Sequence, residues 1–291
     1  MEKLGVEVVP LDTELDFTFP NYNPNPEDLH MLHAMAAKVL ESGADVGLGF
    51  DGDGDRCGVV DNRGEEIFAD KIGVMLARDL SKLYPGSTFV VDVKSTGLFA
   101  TDPQLLAQGV KADYWKTGHS YIKRRVTDLK ALAGFEKSGH FFFNAPVGRG
   151  YDDGILTAIH VIEMLDRNPG KSMAELYEAL PKTWGSPTMS PHCGDEVKYG
   201  VAEKVKERLK AMQAKGEPFT GQKIRDLVTV NGVRITTEDG TWGLVRASSN
   251  KPELVVVVES PASEARMREM FAAIDGVLRE NPEVGAYNQT I

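Results

Sequence analysis

Apolar positions along this chain alternate between the strand period of two and the helical period of three to four, and the switches mark its elements. Residues 4–9 read as a strand, and 12–26 as a loop in which Pro20, Pro24 and Pro26 block regular structure. From Glu27, the spacing of Leu29, Leu32, Met35, Ala36, Val39 and Leu40 predicts a helix with those residues buried, ending at Gly43. A strand over 46–50 follows. Val59 and Val60 suggest its return strand, and Asn62-Arg63-Gly64 reads as a tight turn.

A second set of elements begins near Ile67. A helix over 70–83 presents Ile72, Met75, Leu76 and Leu80 along one side and breaks at Pro85-Gly86. The almost wholly apolar run 89–93 predicts a strand covered on both faces. Helices over 101–108, 120–132 and 153–165, with strands over 110–115 and 140–143, complete this unit. Three prolines and Gly185 mark 181–191 as a linker. Beyond it, a helix over 201–213, strands within 228–237 around Asn231-Gly232, a strand over 254–259 and a helix over 262–278 make an α+β module. The expected organisation is therefore α/β, with domains at 1–65 and 66–180, the linker, and an α+β domain at 192–291.

The length of 291 residues suffices for two or three such domains, each with its own core. A net charge of -10 argues against a generic nucleic-acid or anionic-membrane surface, and no nucleic-acid module signature is present. Cys57 and Cys193 are the only cysteines, which excludes a disulfide framework. The N-terminus lacks a secretory pattern and the apolar runs are too short for a membrane span, so a cytoplasmic protein is expected.

The densest chemistry lies directly after the 46–50 strand. Asp51, Asp53 and Asp55 alternate with glycines and precede Arg56, a spacing that lets three carboxylates converge on one cation. Oxygen-only ligation suits magnesium completed by phosphate and water, with calcium open on ligand type alone. A calcium helix-loop-helix is set aside, because the twelfth residue counted from Asp51 is Asn62 rather than glutamate and the preceding segment is a strand. An acidic surface turn without an ion is the plain alternative.

Three further groups carry functional residue types. Lys116 and His119 flank Gly118 after a strand and could offer a cation and an imidazole to a ligand, or simply face solvent. Glu136, Ser138 and His140 alternate around Gly139 and suit adjacent sugar hydroxyls, although a capping glutamate and a packed histidine would look the same. Arg246, Ser248, Ser249 and Asn250 have the composition of a phosphate clamp, or of an ordinary polar turn. His30, His33, His160 and His192 share no ligand pattern.

Taken in order, these motifs resemble the phosphohexomutase superfamily, in particular its bacterial phosphomannomutase/phosphoglucomutase branch. The resemblance is carried by Phe19-Pro20-Asn21, Asp51-Gly52-Asp53-Gly54-Asp55-Arg56, Asp92-Val93-Lys94, Trp115-Lys116-Thr117-Gly118-His119, Glu136-Lys137-Ser138-Gly139-His140, Asp152-Asp153-Gly154 and Arg246-Ala247-Ser248. It implies the C-terminal portion of a four-domain enzyme: the second half of family domain 2, then domains 3 and 4. It implies reversible transfer of phosphate between the 1- and 6-hydroxyls of a hexose through a hexose 1,6-bisphosphate, with glucose or mannose phosphates as substrates. In that scheme Asp51, Asp53 and Asp55 hold Mg2+, and Arg56 attends the moving phosphoryl group. Lys116 is the general acid/base with His119 beside it. Glu136, Ser138 and His140 read the sugar, and Arg246, Ser248, Ser249 and Asn250 hold the phosphate that is not reacting.

Two departures from the family pattern are small. Ser249 and Asn250 stand where the phosphate loop usually has Asn and Thr, and Gly97 and Leu98 where relatives often carry basic residues. A third is large. The family's phosphorylated serine, in a Thr-Ala-Ser-His-Asn-Pro type loop, has no counterpart in these 291 residues. The expectation is a truncated form, inactive alone, whose N-terminal half is a separate chain or a missing segment. A noncatalytic sugar-phosphate-binding protein and a structural subunit of a split mutase are the alternatives.

Overall fold

A computed structural model of the chain describes residues 1–291 with the exception of Leu15. Two units emerge: the first comprises 1–113 and 117–180, the second 114–116 and 181–291.

The first unit opens on α1 (Leu29–Ser42), followed by the meander β1 (Val46–Phe50), β2 (Cys57–Asp61) and β3 (Glu66–Ile67), an antiparallel sheet in that order. Asp28 caps α1 by accepting from the backbone N–H groups of His30 and Met31, and Gly43 ends it in the left-handed conformation. The helix buries Met31, Leu32, Met35 and Val39 against Val60. The methionine ends lie directly over β1, where a Cβ at Gly49 would stand 2.4 Å from Met35 Sδ and 2.5 Å from Met31 Cε and make them shift.

Two sequence expectations fail in this region. Leu29 and Leu40 are exposed rather than buried, since the face that meets the sheet is rotated toward Met31. Residues 4–9 are not a strand: Glu2–Leu4 form a 3-10 turn closed by Gly5, and Val8 and Val9 stay exposed, so no apolar burial favours an extended pairing there.

The remainder of the first unit comprises α2 (Ala69–Leu83), β4 (Thr88–Asp92), α3 (Leu98–Thr101), α4 (Pro103–Ala107), β5 (Lys111–Trp115), α5 (His119–Leu129), β6 (Ala133–Phe135), β7 (Phe141–Phe143), α6 (Gly154–Asp166) and α7 (Met173–Glu178). The sheet order is β5-β4-β6-β7, with β4 and β6 parallel and β6 and β7 antiparallel. The single helix expected over 101–108 is split, because Asp102 turns out of helix ahead of Pro103 and caps α4 through the backbone N–H groups of Gln104 and Leu105. Phe135 is the centre of the core. It stacks on Phe89 and Phe99, both at 5.7 Å, and meets Phe141 and Phe143 edge-on.

The last two residues of β5 and Lys116 belong to the second unit, which continues with β8 (Trp184–Gly185), α8 (Lys198–Lys215), β9 (Ile224–Val228), β10 (Val233–Thr237), β11 (Trp242–Ala247), β12 (Leu254–Ser260) and α9 (Glu264–Arg279). Its antiparallel sheet runs β8-β12-β11-β10-β9. Residues 181–191, read from sequence as a linker, carry β8 and a bridge from Met189 to Val256. Valines of β12 and the apolar faces of α8 and α9 fill the core. Among the described residues, no helix is long and apolar enough to cross a membrane.

Candidate active site

The acidic turn 51–55 joins β1 to β2 at the end of an antiparallel pair whose register runs from Val46 opposite Asp61 to Phe50 opposite Cys57. Gly54 sits at φ +76°, and its N–H donates to Asp51 O at 3.2 Å, which folds the turn back on itself. Carboxylate oxygens of Asp51, Asp53 and Asp55 lie within 4.8 Å of one another. Asp51 is buried, Asp53 exposed and Asp55 half-buried.

Arg56 holds the turn together. Its Nε donates to Asp51 Oδ2 at 2.5 Å and its backbone N–H to Asp51 Oδ1 at 3.1 Å, while Nη1 donates to Asn25 Oδ1 at 2.9 Å. Burial pushes the Asp51 carboxyl up, but the hydrogen bonds from Arg56 outweigh it and hold the group below its ordinary value. Asp55 moves the other way: burial, then the charges of Asp51 and Asp53, push it up against the pull of His140. Its Oδ1 is buried without a hydrogen-bond donor. Three converging oxygens, one of them lacking a donor, fit a hard divalent cation such as Mg2+.

The turn is braced from behind by α6. Gly154 donates its N–H to Gly54 O at 3.0 Å, and a Cβ at Gly154 would stand 2.6 Å from Arg56 O and 2.7 Å from Gly54 O. Neighbouring Cys57 is fully buried, and burial followed by the Asp51 charge pushes its thiol up to about 12, so it is no nucleophile.

A second turn, between β6 and β7, meets the first through an Arg56–His140 bridge and the Cys57 N–H, which donates to Gly139 O at 3.3 Å. His140 Nε2 lies 3.4 Å from Asp55 Oδ1, and its Nδ1 faces Ser138 Oγ at 2.9 Å and Glu136 Oε2 at 3.3 Å. Burial alone would push the imidazole down, but Glu136 and then Asp55 raise it above its ordinary value. Glu136 is 1 % exposed and accepts the Gly118 N–H at 2.5 Å, which draws in the turn that starts α5.

From that turn His119 places Nδ1 3.3 Å from Asp152 Oδ2, with its ring stacked 6.0 Å from that of His140. Lys123 reaches the other oxygen of Asp152 at 3.2 Å. The first unit thus brings together Asp51, Asp53, Asp55, Arg56, His119, Glu136, Ser138 and His140. Asp152 and Asn25 were not singled out from sequence as site residues. Asp152-Asp153-Gly154 carried a signal, since Asp153 caps α6 through Leu156 N–H and leaves its neighbour for another role.

The remaining candidates lie in the second unit. Lys116 follows Tyr114, whose ring packs under the Arg234 guanidinium at 4.3 Å. Arg246 is buried at the end of β11, where Nη1 donates to Ala247 O at 3.0 Å. Ser248 Oγ accepts from the N–H groups of Asn250 at 3.4 Å and Lys251 at 3.3 Å, while Ser249 and Asn250 are exposed at the tip. A cleft of about 800 Å³ opens between Phe19, Tyr22 and Leu48 in the first unit and reaches Asp51 and Gly52 of the acidic turn. Asp12, Glu14 and Asp16 also line it, which makes it a poor receptor for phosphate.

Comparison with known proteins bears on the whole chain. Phosphoglucomutase/phosphomannomutase family models match in order: alpha/beta/alpha domain II over residues 1–64, alpha/beta/alpha domain III over 68–184 and the C-terminal domain over 196–277. A phosphomannomutase/phosphoglucomutase of Pseudomonas syringae pv. tomato is 38% identical over 275 residues, covering 94% of this chain and 56% of that protein. A phosphoglucomutase of Neisseria gonorrhoeae is 34% identical over 97% of this chain and 58% of its own length. The crystal structure of a phosphoglucomutase/phosphomannomutase family protein from Burkholderia thailandensis superposes with a TM-score of 0.83 at 30% identity, over 99% of this chain and 58% of that one. The chain therefore spans somewhat over half the length of these relatives. Three successive domain matches on one fold make this chain a member of the phosphohexomutase family, represented here by its domains II, III and IV.

Proposed function

We propose that this chain binds hexose phosphates at a magnesium-dependent site and supplies the cation, sugar and phosphate-holding parts of reversible 1-to-6 phosphoryl transfer through a hexose 1,6-bisphosphate. The observation that carries the reading is the convergence of Asp51, Asp53 and Asp55 beside Arg56, with His140 of the adjoining turn 3.4 Å from Asp55 and 3.3 Å from Glu136. Mg2+ held by the three carboxylates would supply positive charge to phosphoryl oxygens, where charge accumulates in such transfers.

The chain's own groups have distinct assignments. Arg56 orients Asp51 and adds positive charge beside the phosphoryl oxygens. Lys116 takes and returns the proton of the attacking sugar hydroxyl, and His119 donates to phosphate. Glu136 and Ser138 read the sugar hydroxyls, with His140 beside them. Arg246, Ser248, Ser249 and Asn250 grip the phosphate that is not reacting. Glucose and mannose phosphates are both proposed as ligands, as the names of the relatives suggest.

The 291 residues carry no serine in a Thr-Ala-Ser-His-Asn-Pro type loop to relay the phosphoryl group, so this polypeptide by itself is proposed to bind without turning over. Calorimetry with glucose 1-phosphate and mannose 1-phosphate, with and without Mg2+, tests both statements. The expected result is Mg2+-dependent binding with no interconversion of 1- and 6-phosphates. Absence of binding with Mg2+ present defeats the reading, and steady turnover defeats its second half.

A further inference from the structure

Asp92 ends β4 and is completely buried. Its Oδ1 accepts from Ser95 Oγ at 2.5 Å and from the Lys137 backbone N–H at 3.3 Å, and its Oδ2 accepts from Thr117 Oγ1 at 3.1 Å. A carboxylate in a dry interior is tolerated only when its lone pairs are filled. Here the donors come from three separate segments: the turn after β4, the turn before α5 and the turn between β6 and β7.

Two of those segments hold candidate site residues within two positions of the donor. Thr117 precedes Gly118 and His119, and Lys137 stands between Glu136 and Ser138. The Gly118 N–H to Glu136 Oε1 bond of 2.5 Å joins the same two turns at their tips, so Asp92 closes at the base a frame that Glu136 closes at the top. Asp70, 1 % exposed, reinforces it by accepting from Thr96 N–H at 2.9 Å and from Lys137 Nζ at 3.3 Å.

We propose that Asp92 is a positioning residue for the sugar-reading turns: it sets the spacing of Thr117–His119 against Glu136–His140 without touching the ligand. The ligand's identity as a hexose phosphate rests on the function proposed above, but the frame itself does not. A buried charge with donors on three loops fixes their relative positions more tightly than neutral hydrogen bonds do, because charge-assisted bonds are shorter and stronger.

The test is residue-resolved amide hydrogen exchange on Asp92→Asn and Thr117→Val, with glucose 1-phosphate titrated into each variant in the presence of Mg2+. Asparagine keeps the shape and one acceptor but loses the charge, and valine removes a single donor. In Asp92→Asn, exchange at Gly118 and at Lys137–Gly139 is expected to rise about tenfold or more while Val90 and Val91 in β4 keep their protection. Thr117→Val is expected to raise exchange at Gly118 alone, and it carries the test if the first variant folds poorly. Unchanged exchange at these amides, or an equal rise throughout β4, overturns the proposal. Glucose 1-phosphate affinity is expected to fall about tenfold in Asp92→Asn, in line with one lost charge-assisted bond. Full affinity despite loosened turns would equally overturn the positioning role. If the unaltered chain does not bind the sugar phosphate, the function proposed above fails while the exchange data still decide whether Asp92 fixes the turns.

Discussion

Gly154 donates its backbone N–H to the carbonyl oxygen of Gly54 at 3.0 Å, which ties the first residue of α6 to the middle of the acidic turn. There is no room for a side chain at this junction, since a Cβ would meet the carbonyl oxygens of Arg56 and Gly54 at 2.6 and 2.7 Å. Both clashing atoms are backbone, so neither can rotate away. Gly154→Ala is therefore expected to destabilise the chain by about 1–3 kcal/mol. It should also weaken Mg2+ binding, because the turn is pushed off the helix. Urea denaturation and Mg2+ calorimetry read the two effects, and a variant with unaltered Mg2+ affinity would show that the turn does not depend on this brace.

Asp53 is the exposed member of the acidic triad, and Arg56 pairs with Asp51 and Asp55 rather than with it, so its replacement tests the cation site without disturbing the fold. Asp53→Asn is expected to change stability by no more than about 0.5 kcal/mol. Mg2+ affinity should drop at least about tenfold, as ligand-shell changes commonly do. Equal affinity in both proteins would remove Asp53 from the site.

Phe135 lies between Phe89 and Phe99 in the core, and the next residue is Glu136. Phe135→Ala is expected to cost about 3–5 kcal/mol, the range for emptying a buried aromatic position. A loss below about 1 kcal/mol in urea denaturation would mean that the surrounding phenylalanines close the cavity.

The second unit has its own acid-sensitive contact. Burial works against the Asp239 carboxylate, but hydrogen bonds from Arg266, Thr237 and Thr241 hold its pKa at about 2, below its ordinary 3.8. A depressed carboxyl pKa stabilises the fold above the unfolded value, and that contribution disappears as pH falls from about 4 toward 2. With solvent screening at this partly exposed site, it amounts to about 1 kcal/mol at neutral pH. Asp239→Asn should lose that amount at pH 7 and show a shallower acid limb in denaturation measured from pH 6 to 2. An unchanged limb would place the acid sensitivity elsewhere.

Local chemistry made much of this molecule legible before its structure. Alternating aspartates and glycines identified the converging carboxylates, and Gly43 marked the end of α1 correctly. What sequence could not supply was the direction in which each element meets its neighbours. The spacing of Leu29 and Leu40 fits a helix face as well as Met31 does, and only the glycines of β1 reveal that the methionine side is the one received. Asp152, though part of a quoted motif, and Asn25 were given no site role for a related reason: each meets the other candidate residues through partners distant in the chain. Residues 4–9 show the converse error, apolar enough for a strand but lacking a packing surface.

The junction of Gly154 with Gly54 also places the positive end of the α6 macrodipole against the crowded aspartates. Part of their mutual repulsion is thereby offset by the polypeptide itself. The turn can thus be assembled in advance, and a cation taken up there would be an exchangeable guest rather than the template on which this corner of the chain folds.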